Sequence, residues 1–503
     1  MTTITIHETE RLVLDVLQES IRCGMREVCI CPSARNAPFV QALIKIPQLK
    51  TYYWFEERSA AFFALGRTRE TGLPTAVITT SGTAAGELLP AAMEAYYSGV
   101  PLILITADRP PSYRGTGAPQ SAEQVGLFGV YALVDYDISA NQKFSMSNWD
   151  QLGPAHINVC IDEPLTHSFD CVDLEFEREH TPFAPITGTL DAFFEDVKHP
   201  FVVVSTLAAE KRAEVVEFLV NLNAPVYLEG ISGLRGCPRL RHLEICCPDK
   251  TWQRAAEAGY RIDGVLRIGG VPTFRSWRDL ENMEGQLKIV SVNDVLLSGL
   301  SWGTVMRAKL EHPRRFDCPG EWLHSDKHWR EQTQHTLAQK PCAESSMVHA
   351  LSKLIPQDAL LYLGNSLPIR EWDFAATRDR CDLEIRGNRG VNGIDGQIST
   401  FLGMCAEGRA NWGIFGDLTT LYDLAGPWIL RALPNMDITI VVINNSGGQI
   451  FAKMFKEKEL LNQHHVTFKP FADLWGMDYE RWTEVPCQIN TCQRPRLIEM
   501  IPE

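Results

Sequence analysis

Two loops near the C-terminal end carry residues whose chemistry suits a divalent cation. One apolar run, ending at Phe415, opens into Gly416-Asp417-Leu418, and a second, ITIVVI, opens into Asn444-Asn445-Ser446-Gly447-Gly448. A carboxylate from Asp417, an amide oxygen from Asn445 and a backbone carbonyl freed by Gly447 would fill half of an octahedral shell. Magnesium commonly completes such a shell with water and ligand phosphates. Taken singly, each loop reads equally well as a helix cap or a turn. Together, each closing a buried strand, they favour a metal–diphosphate site.

A second chemical feature lies far upstream, where Glu56-Glu57-Arg58 precedes the apolar stretch AAFFAL. Carboxylates in a first helical turn are favoured by the helix dipole, and most such glutamates do nothing else. One of them packed against that apolar face would be partly desolvated. Its pKa would rise, and it would suit sharing a proton with a ligand nitrogen.

The elements that must position these residues alternate. In the N-terminal block, strands are expected at EVCICP (27–32), TAVITT (75–80) and LILITA (102–107), each opening into a polar loop with helical patterns between. That alternation predicts a doubly wound parallel sheet whose loops share one edge. Residues 171–190 lose periodicity and read as a linker. A second α/β block follows, with FVVVST, VYLEG, GVLRIGG and LKIVSVN as strands; Gly269-Gly270-Val271-Pro272 and Arg275 are its only chemical candidates. No GxGxxG follows these strands, so a mainly structural role is expected. Residues 311–345 read as a second linker or a surface helix. The third block places a strand at 359–364 before Asn365-Ser366-Leu367-Pro368-Ile369-Arg370, then a glycine-rich loop entering a helix.

At 503 residues, two or three domains are expected. A formal net charge of −14 argues against general nucleic-acid or anionic-membrane binding. The N-terminus lacks a basic-then-apolar signal pattern, and no run reaches the length of a membrane span. The fourteen cysteines are scattered without a CxxC, which points to reduced thiols in a cytoplasmic protein. The histidines show no HExxH spacing.

These features together resemble the thiamine-diphosphate enzymes, in which a Gly-Asp-x…Asn-Asn segment holds magnesium and the diphosphate, and a glutamate from another domain binds the aminopyrimidine. Within that superfamily the chain is similar to the 2-succinyl-5-enolpyruvyl-6-hydroxy-3-cyclohexene-1-carboxylate synthases of menaquinone biosynthesis. TSGTA (80–84), LITADRP (104–110), GNSLPIR (364–370), NRGVNGIDG (388–396), GDLTTLYDL (416–424) and VINNSGGQIF (442–451) carry the likeness. It implies three doubly wound parallel-sheet α/β domains: pyrimidine-binding over 1–180, middle over 191–335 and pyrophosphate-binding over 345–503. It implies thiamine diphosphate with Mg2+ or Mn2+ held by Asp417, Asn445 and the Gly447 carbonyl, flanked by Gly416 and Leu418. Glu57 would hydrogen-bond the pyrimidine and Ile394 would wedge beneath the cofactor. Ser366, Arg370 and Arg389 would handle the donor, 2-oxoglutarate. Arg35, Arg109, Gln120 and Arg275 would handle the acceptor, isochorismate. No side-chain nucleophile is needed, which fits the absence of a Ser-His-Asp or Cys-His pattern. The resemblance further implies a homodimer or homotetramer, with Glu57 of one subunit meeting Asp417 of another.

Departures from the family's usual residues cluster on the acceptor side: Ser33-Ala34-Arg35-Asn36, Glu87, Pro119 and Phe274-Arg275-Ser276. Two alternatives therefore stand beside the synthase reading. One is a related 2-oxo-acid decarboxylase or carboligase with another acceptor; the other is a non-catalytic regulatory homologue.

Overall fold

The computed structural model describes residues 7–170, 172–257, 260–318, 320–455, 457–489 and 494–503. Its framework is three six-stranded sheets. The first comprises β1 (Glu27–Ile30), β2 (Lys50–Tyr53), β3 (Thr75–Thr79), β4 (Leu102–Asp108), β5 (Val134–Ile138) and β6 (Ala155–Cys160), in the order β2-β1-β3-β4-β6-β5. The second comprises β7 (Pro200–Val204), β8 (Val226–Leu228), β9 (Glu244–Ile245), β10 (Gly264–Ile268), β11 (Lys288–Val292) and β12 (Thr304–Met306), ordered β12-β11-β10-β7-β8-β9. The third comprises β13 (Leu360–Leu363), β14 (Glu384–Arg386), β15 (Ala410–Gly416), β16 (Asp437–Ile443), β17 (Asp478–Trp482) and β18 (Arg496–Met500), ordered β14-β13-β15-β16-β18-β17. Neighbouring strands pair in parallel throughout, for example Ile78 opposite Ile105 and Val441 opposite Ile498. Strands such as PFVVV are buried end to end, as parallel strands covered on both faces must be. The alternation of strand and helix in the sequence predicts this doubly wound α/β class.

Each strand order reverses within the sheet, and such a switch point opens a crevice beyond the carboxyl ends of the strands. In the first sheet it falls between β1 and β3, and in the third between β13 and β15. The loops after β3, β13 and β15 are those singled out for chemistry.

The chain divides into two compact units: residues up to Ala184 with Gly390–Ala406 and Leu421–Asn435, and Pro185–Arg389 with Glu407–Thr420 and Met436–Glu503. The first unit has an inserted helix at its heart. Helix Gln397–Met404 lies against helix Glu57–Thr71 at a crossing made of glycines. A Cβ on Gly66 would stand 2.2 Å from the Thr400 carbonyl oxygen, and one on Gly403 would stand 2.3 Å from that of Phe63. Arg67 reinforces the junction with a two-pronged ion pair to Glu27 (2.6 and 2.9 Å) and a bond from Nη1 to the Gly403 carbonyl (3.0 Å). Asp423, wholly buried, accepts from the Ser399 N–H, the Ser399 hydroxyl and the Ser59 hydroxyl. Burial raises its pKa, and the donors from Ser399 oppose that rise.

Several segments differ from expectation. The stretch expected as a free linker within 171–190 holds no helix or strand among its described residues, yet it straps down the first unit's N-terminal helix. Arg26 donates to the Phe176 carbonyl and the Glu179 N–H to that of Arg22. Between Asp417 and β16 the expected helix is only Asp417–Tyr422, followed by a 3-10 turn at Gly426–Ala432. Gly426-Pro427 ends the α-helical pattern, because proline lacks an N–H. Within 311–345, expected as a linker or a surface helix, a helix does span Gly320–Gln339. Among the described residues no helix is long and apolar enough to cross a membrane, and every described cysteine is free.

The glycine crossing generates a stability test. Gly66→Ala places a methyl against a backbone oxygen, and overpacking of this kind costs about 1–3 kcal/mol. Gly86→Ala, where a Cβ meets nothing within 4 Å, is expected to stay within about 0.5 kcal/mol of the parent. Thermal unfolding followed by circular dichroism compares the two.

Candidate active site

The parallel register of the third sheet places Gly416 opposite Ile443, so the loops after β15 and β16 emerge side by side. Gly416 ends its strand and accepts from the Thr420 hydroxyl (2.9 Å). Asp417 is 2% exposed; one carboxylate oxygen accepts from the Leu418 N–H (2.6 Å) and the other from the Gly447 N–H (2.9 Å). Ser446 and Gly447 adopt positive φ (66° and 127°), which folds the loop back over the aspartate. A Cβ on Gly447 would stand 2.4 Å from the Leu461 carbonyl oxygen, so that position admits only glycine. Burial raises the Asp417 pKa, while the N–H donors of Gly447 and Leu418 and the neighbouring His464 counter it. His464 Nε2 lies 3.2 Å from the carboxylate.

Asn445 commits its amide nitrogen to Glu344 (2.9 Å), leaving Oδ1 for another ligand. Burial pushes the Glu344 carboxyl up to about 7, with Asn445 opposing and Glu371 and Asp417 adding to the rise. Neither Glu344 nor His464 stands out in the sequence as a neighbour of this site; each lies outside the strand-exit pattern. Among the described residues, no group of three or more His, Cys, Asp and Glu side chains could hold a metal. A cation here would therefore rely on amide and carbonyl oxygens and on ligand phosphates. The donor set of Asp417, Asn445 and the Gly447 carbonyl could hold a hard cation in that way.

The loop after β13 converges on the neighbouring edge. A Cβ on Gly364 would stand 2.8 Å from the Ile414 carbonyl oxygen, so glycine lets the chain pass close to β15 there. Ser366 sits at φ 71° just before helix Leu367–Ala375, and Arg370, one turn on, donates to the Ser366 carbonyl (2.5 Å). Arg389, 8% exposed, donates to the side-chain oxygen of fully buried Asn365 (2.8 Å). Beneath this set, Asp373 accepts from the Gly230 N–H and pairs with Arg235, while Glu229 accepts from Ser205 and Thr273. The second sheet thus props up the helix that carries Arg370. Arg275 does not join this set; it is 72% exposed at its side chain and pairs with Asp279 at 3.6 Å.

In the first unit the two adjacent glutamates divide their duties. Glu56 caps the helix, accepting from the N–H groups of Arg58 (3.2 Å) and Ser59 (2.8 Å). Glu57, with no capping bond among the described residues, lines an open cleft of about 430 Å3 together with Glu56, Thr80, Ser81, Thr83, Glu87 and Gln120. Burial raises the Glu57 pKa; its own backbone N–H opposes this, and the Glu56 and Glu87 charges add to it. Glu87, flagged from the sequence as a departure, faces the same cleft as the proposed proton-sharing residue.

Gln120 reaches the cleft on a turn with φ 53°. Arg109 supports that turn, donating through Nε and Nη2 to the Pro119 carbonyl (3.2 and 3.0 Å). Arg35, 9% exposed, donates to the Ile161 carbonyl (2.9 Å) and does not line the cleft. Two supporting residues escaped the sequence. Buried Gln124 accepts from the Gly82 N–H and donates to Asn158, tying the cleft loop to a polar network inside the sheet. Buried Glu94 accepts from the N–H groups of Gly390 and Val391 (2.9 Å each), anchoring the loop that carries half-buried Ile394.

Comparison with known proteins places this geometry. A family model described as "Thiamine pyrophosphate enzyme, N-terminal TPP binding domain" matches residues 7–127. A 2-succinyl-5-enolpyruvyl-6-hydroxy-3-cyclohexene-1-carboxylate synthase from Bdellovibrio bacteriovorus is 42% identical, covering 94% of this chain and 92% of its own. Synthases of the same name from Akkermansia muciniphila (36% identical; 98% and 96% covered) and Synechococcus elongatus (30%; 92% and 88%) are similar along nearly their whole lengths. The chain belongs to the 2-succinyl-5-enolpyruvyl-6-hydroxy-3-cyclohexene-1-carboxylate synthase family of thiamine-diphosphate enzymes.

Proposed function

We propose that the protein decarboxylates 2-oxoglutarate and adds the resulting four-carbon unit to isochorismate, giving 2-succinyl-5-enolpyruvyl-6-hydroxy-3-cyclohexene-1-carboxylate for menaquinone biosynthesis in the cytoplasm. The observation that carries this reading is the 42% identity, over 94% of the chain, to a synthase of that name. Thiamine diphosphate, when bound, supplies the carbon nucleophile and the electron sink for loss of carbon dioxide. Asp417, Asn445 and the Gly447 carbonyl hold Mg2+ or Mn2+ against its diphosphate. Glu57 keeps a proton at the N1′ end of its aminopyrimidine, a task suited to a carboxyl whose pKa is raised by burial. Ile394 would pack against the cofactor. Ser366 and Arg370 bind the distal carboxylate of 2-oxoglutarate, with Arg389 near the reacting carboxylates; guanidinium groups grip carboxylates through two parallel bonds.

For the acceptor, Gln120 is the residue with direct access to the Glu57 cleft, and Arg109 serves by shaping its turn. Arg35 and Arg275 complete the acceptor set in this reading. The active assembly is a homodimer or a dimer of such dimers, in which Glu57 and Asp417 at one cofactor come from different subunits. Within each chain the division is pyrimidine-binding (1–180), middle (191–335) and pyrophosphate-binding (345–503).

A second reading keeps the cofactor and donor but changes the acceptor, and Glu87 beside Glu57 favours it, since an extra carboxylate repels an acidic substrate. Incubation with thiamine diphosphate, Mg2+ and 2-oxoglutarate, with and without isochorismate, decides between them. Consumption of isochorismate in step with carbon dioxide release is expected; release without consumption transfers the protein to the second reading. Glu57→Gln is expected to lower turnover by about 10²- to 10⁴-fold, the usual worth of a positioned acid–base group, in a steady-state assay. A parent protein without turnover, whatever stands at 57, would mark a non-catalytic homologue.

A further inference from the structure

We propose that Glu344 is a positioning residue for the cation site, orienting the Asn445 amide so that its oxygen is the atom left for the metal. This rests on the reading of Asp417, Asn445 and Gly447 as the cation shell. A side-chain amide has two ends of nearly equal size and opposite polarity. Turned the wrong way, it would present N–H groups to a divalent cation and remove a ligand. Its neighbours decide which end points where.

Here the neighbour is Glu344 Oε2, which accepts from Asn445 Nδ2 at 2.9 Å. The other oxygen, Oε1, is buried and has no hydrogen-bond partner among the described residues. Oε2 is an unprotonated acceptor whether the carboxyl is charged or carries its proton on Oε1, so it takes the nitrogen end of the amide and rejects the oxygen end. The main chain at Asn445 is held as well, its carbonyl accepting from Gln449 Nε2 (3.1 Å). Glu344 is itself placed with some precision. It is the first residue of helix Glu344–Leu354, and the next residue, Ser345, donates to Glu371 on the helix that bears Arg370. The cation site and the donor site therefore share a support. A plain helix-dipole role for a first-turn glutamate would not call for a bond to Asn445.

The test measures Mn2+ binding by electron paramagnetic resonance of the free ion, with thiamine diphosphate present. Second-layer partners of metal ligands are typically worth 10- to 100-fold in affinity. Glu344→Leu and Glu344→Ala both remove the acceptor and are expected to raise the Mn2+ Kd by about 10-fold or more. Both variants are measured, so one that folds suffices, with circular dichroism of the metal-free protein as the check. Glu344→Gln keeps an acceptor oxygen but adds an N–H donor that can pair with the wrong end of the amide, so it is expected to raise the Kd by less than Glu344→Ala does. In an Asn445→Ala background, removing Glu344 is expected to change the Kd by less than about 2-fold, because the two residues act as one unit. An unchanged Kd in the single variants, or an equal loss in the Asn445→Ala background, overturns the inference while leaving the cation reading intact. A parent protein that takes up no Mn2+ overturns both.

Discussion

The bond from the Gly447 N–H to the Asp417 carboxylate ties together the two strand exits on which the proposed cation site depends. It exists only because β15 and β16 run parallel in a register that brings Gly416 opposite Ile443. A carboxylate that is 2% exposed would ordinarily take up a proton; N–H donors from Gly447 and Leu418 keep its charged form supported in a dry place. The same bond demands the positive φ at Gly447, and the Leu461 carbonyl closes the space where any side chain would go. Charge, backbone shape and close packing at this corner are thus one constraint seen from three sides.

Elsewhere each unit repeats one device: candidate site residues are held by polar neighbours. Glu56, which lines the cleft beside Glu57, takes the capping bonds at the start of their helix. Arg109 spends its guanidinium on the Pro119 carbonyl and thereby sets the turn at Gln120. Asn365 receives Arg389, and Glu94 receives the backbone of the Gly390–Val391 loop. Such supports hold the candidate residues in place, which matters because orientation is a large share of what a site contributes to rate.

Much of the architecture was legible because its strands are short apolar runs ending in polar loops. TAVIT, LILITA and ITIVVI announce themselves, and so do the loops at 80–83, 364–370 and 444–448. Other strands were not legible. β6 reads AHINVC, and its His156 and Asn158 look out of place in a core. In the fold both are fully buried, bonded to Thr106 and, for Asn158, also to Gln124, Asp108 and Asp137. A polar strand can be central when its partners are supplied by distant strands, and local periodicity carries no trace of them. β5, with alternating polar residues at an edge, was hidden for a related reason.

The sequence by itself determined the class of fold, the chemical types at each strand exit and the resemblance that named a cofactor and a donor. Those depend on local composition and order, which the chain states directly. Only the tertiary structure decided that Glu56 is the capping glutamate, that Arg109 supports rather than lines the cleft, and that Arg275 lies exposed on the surface. It alone brought Glu344 to Asn445 and His464 to Asp417. The reason is physical: a side chain's partners and the direction of its dipole are set by through-space neighbours, and these come from residues far away along the chain.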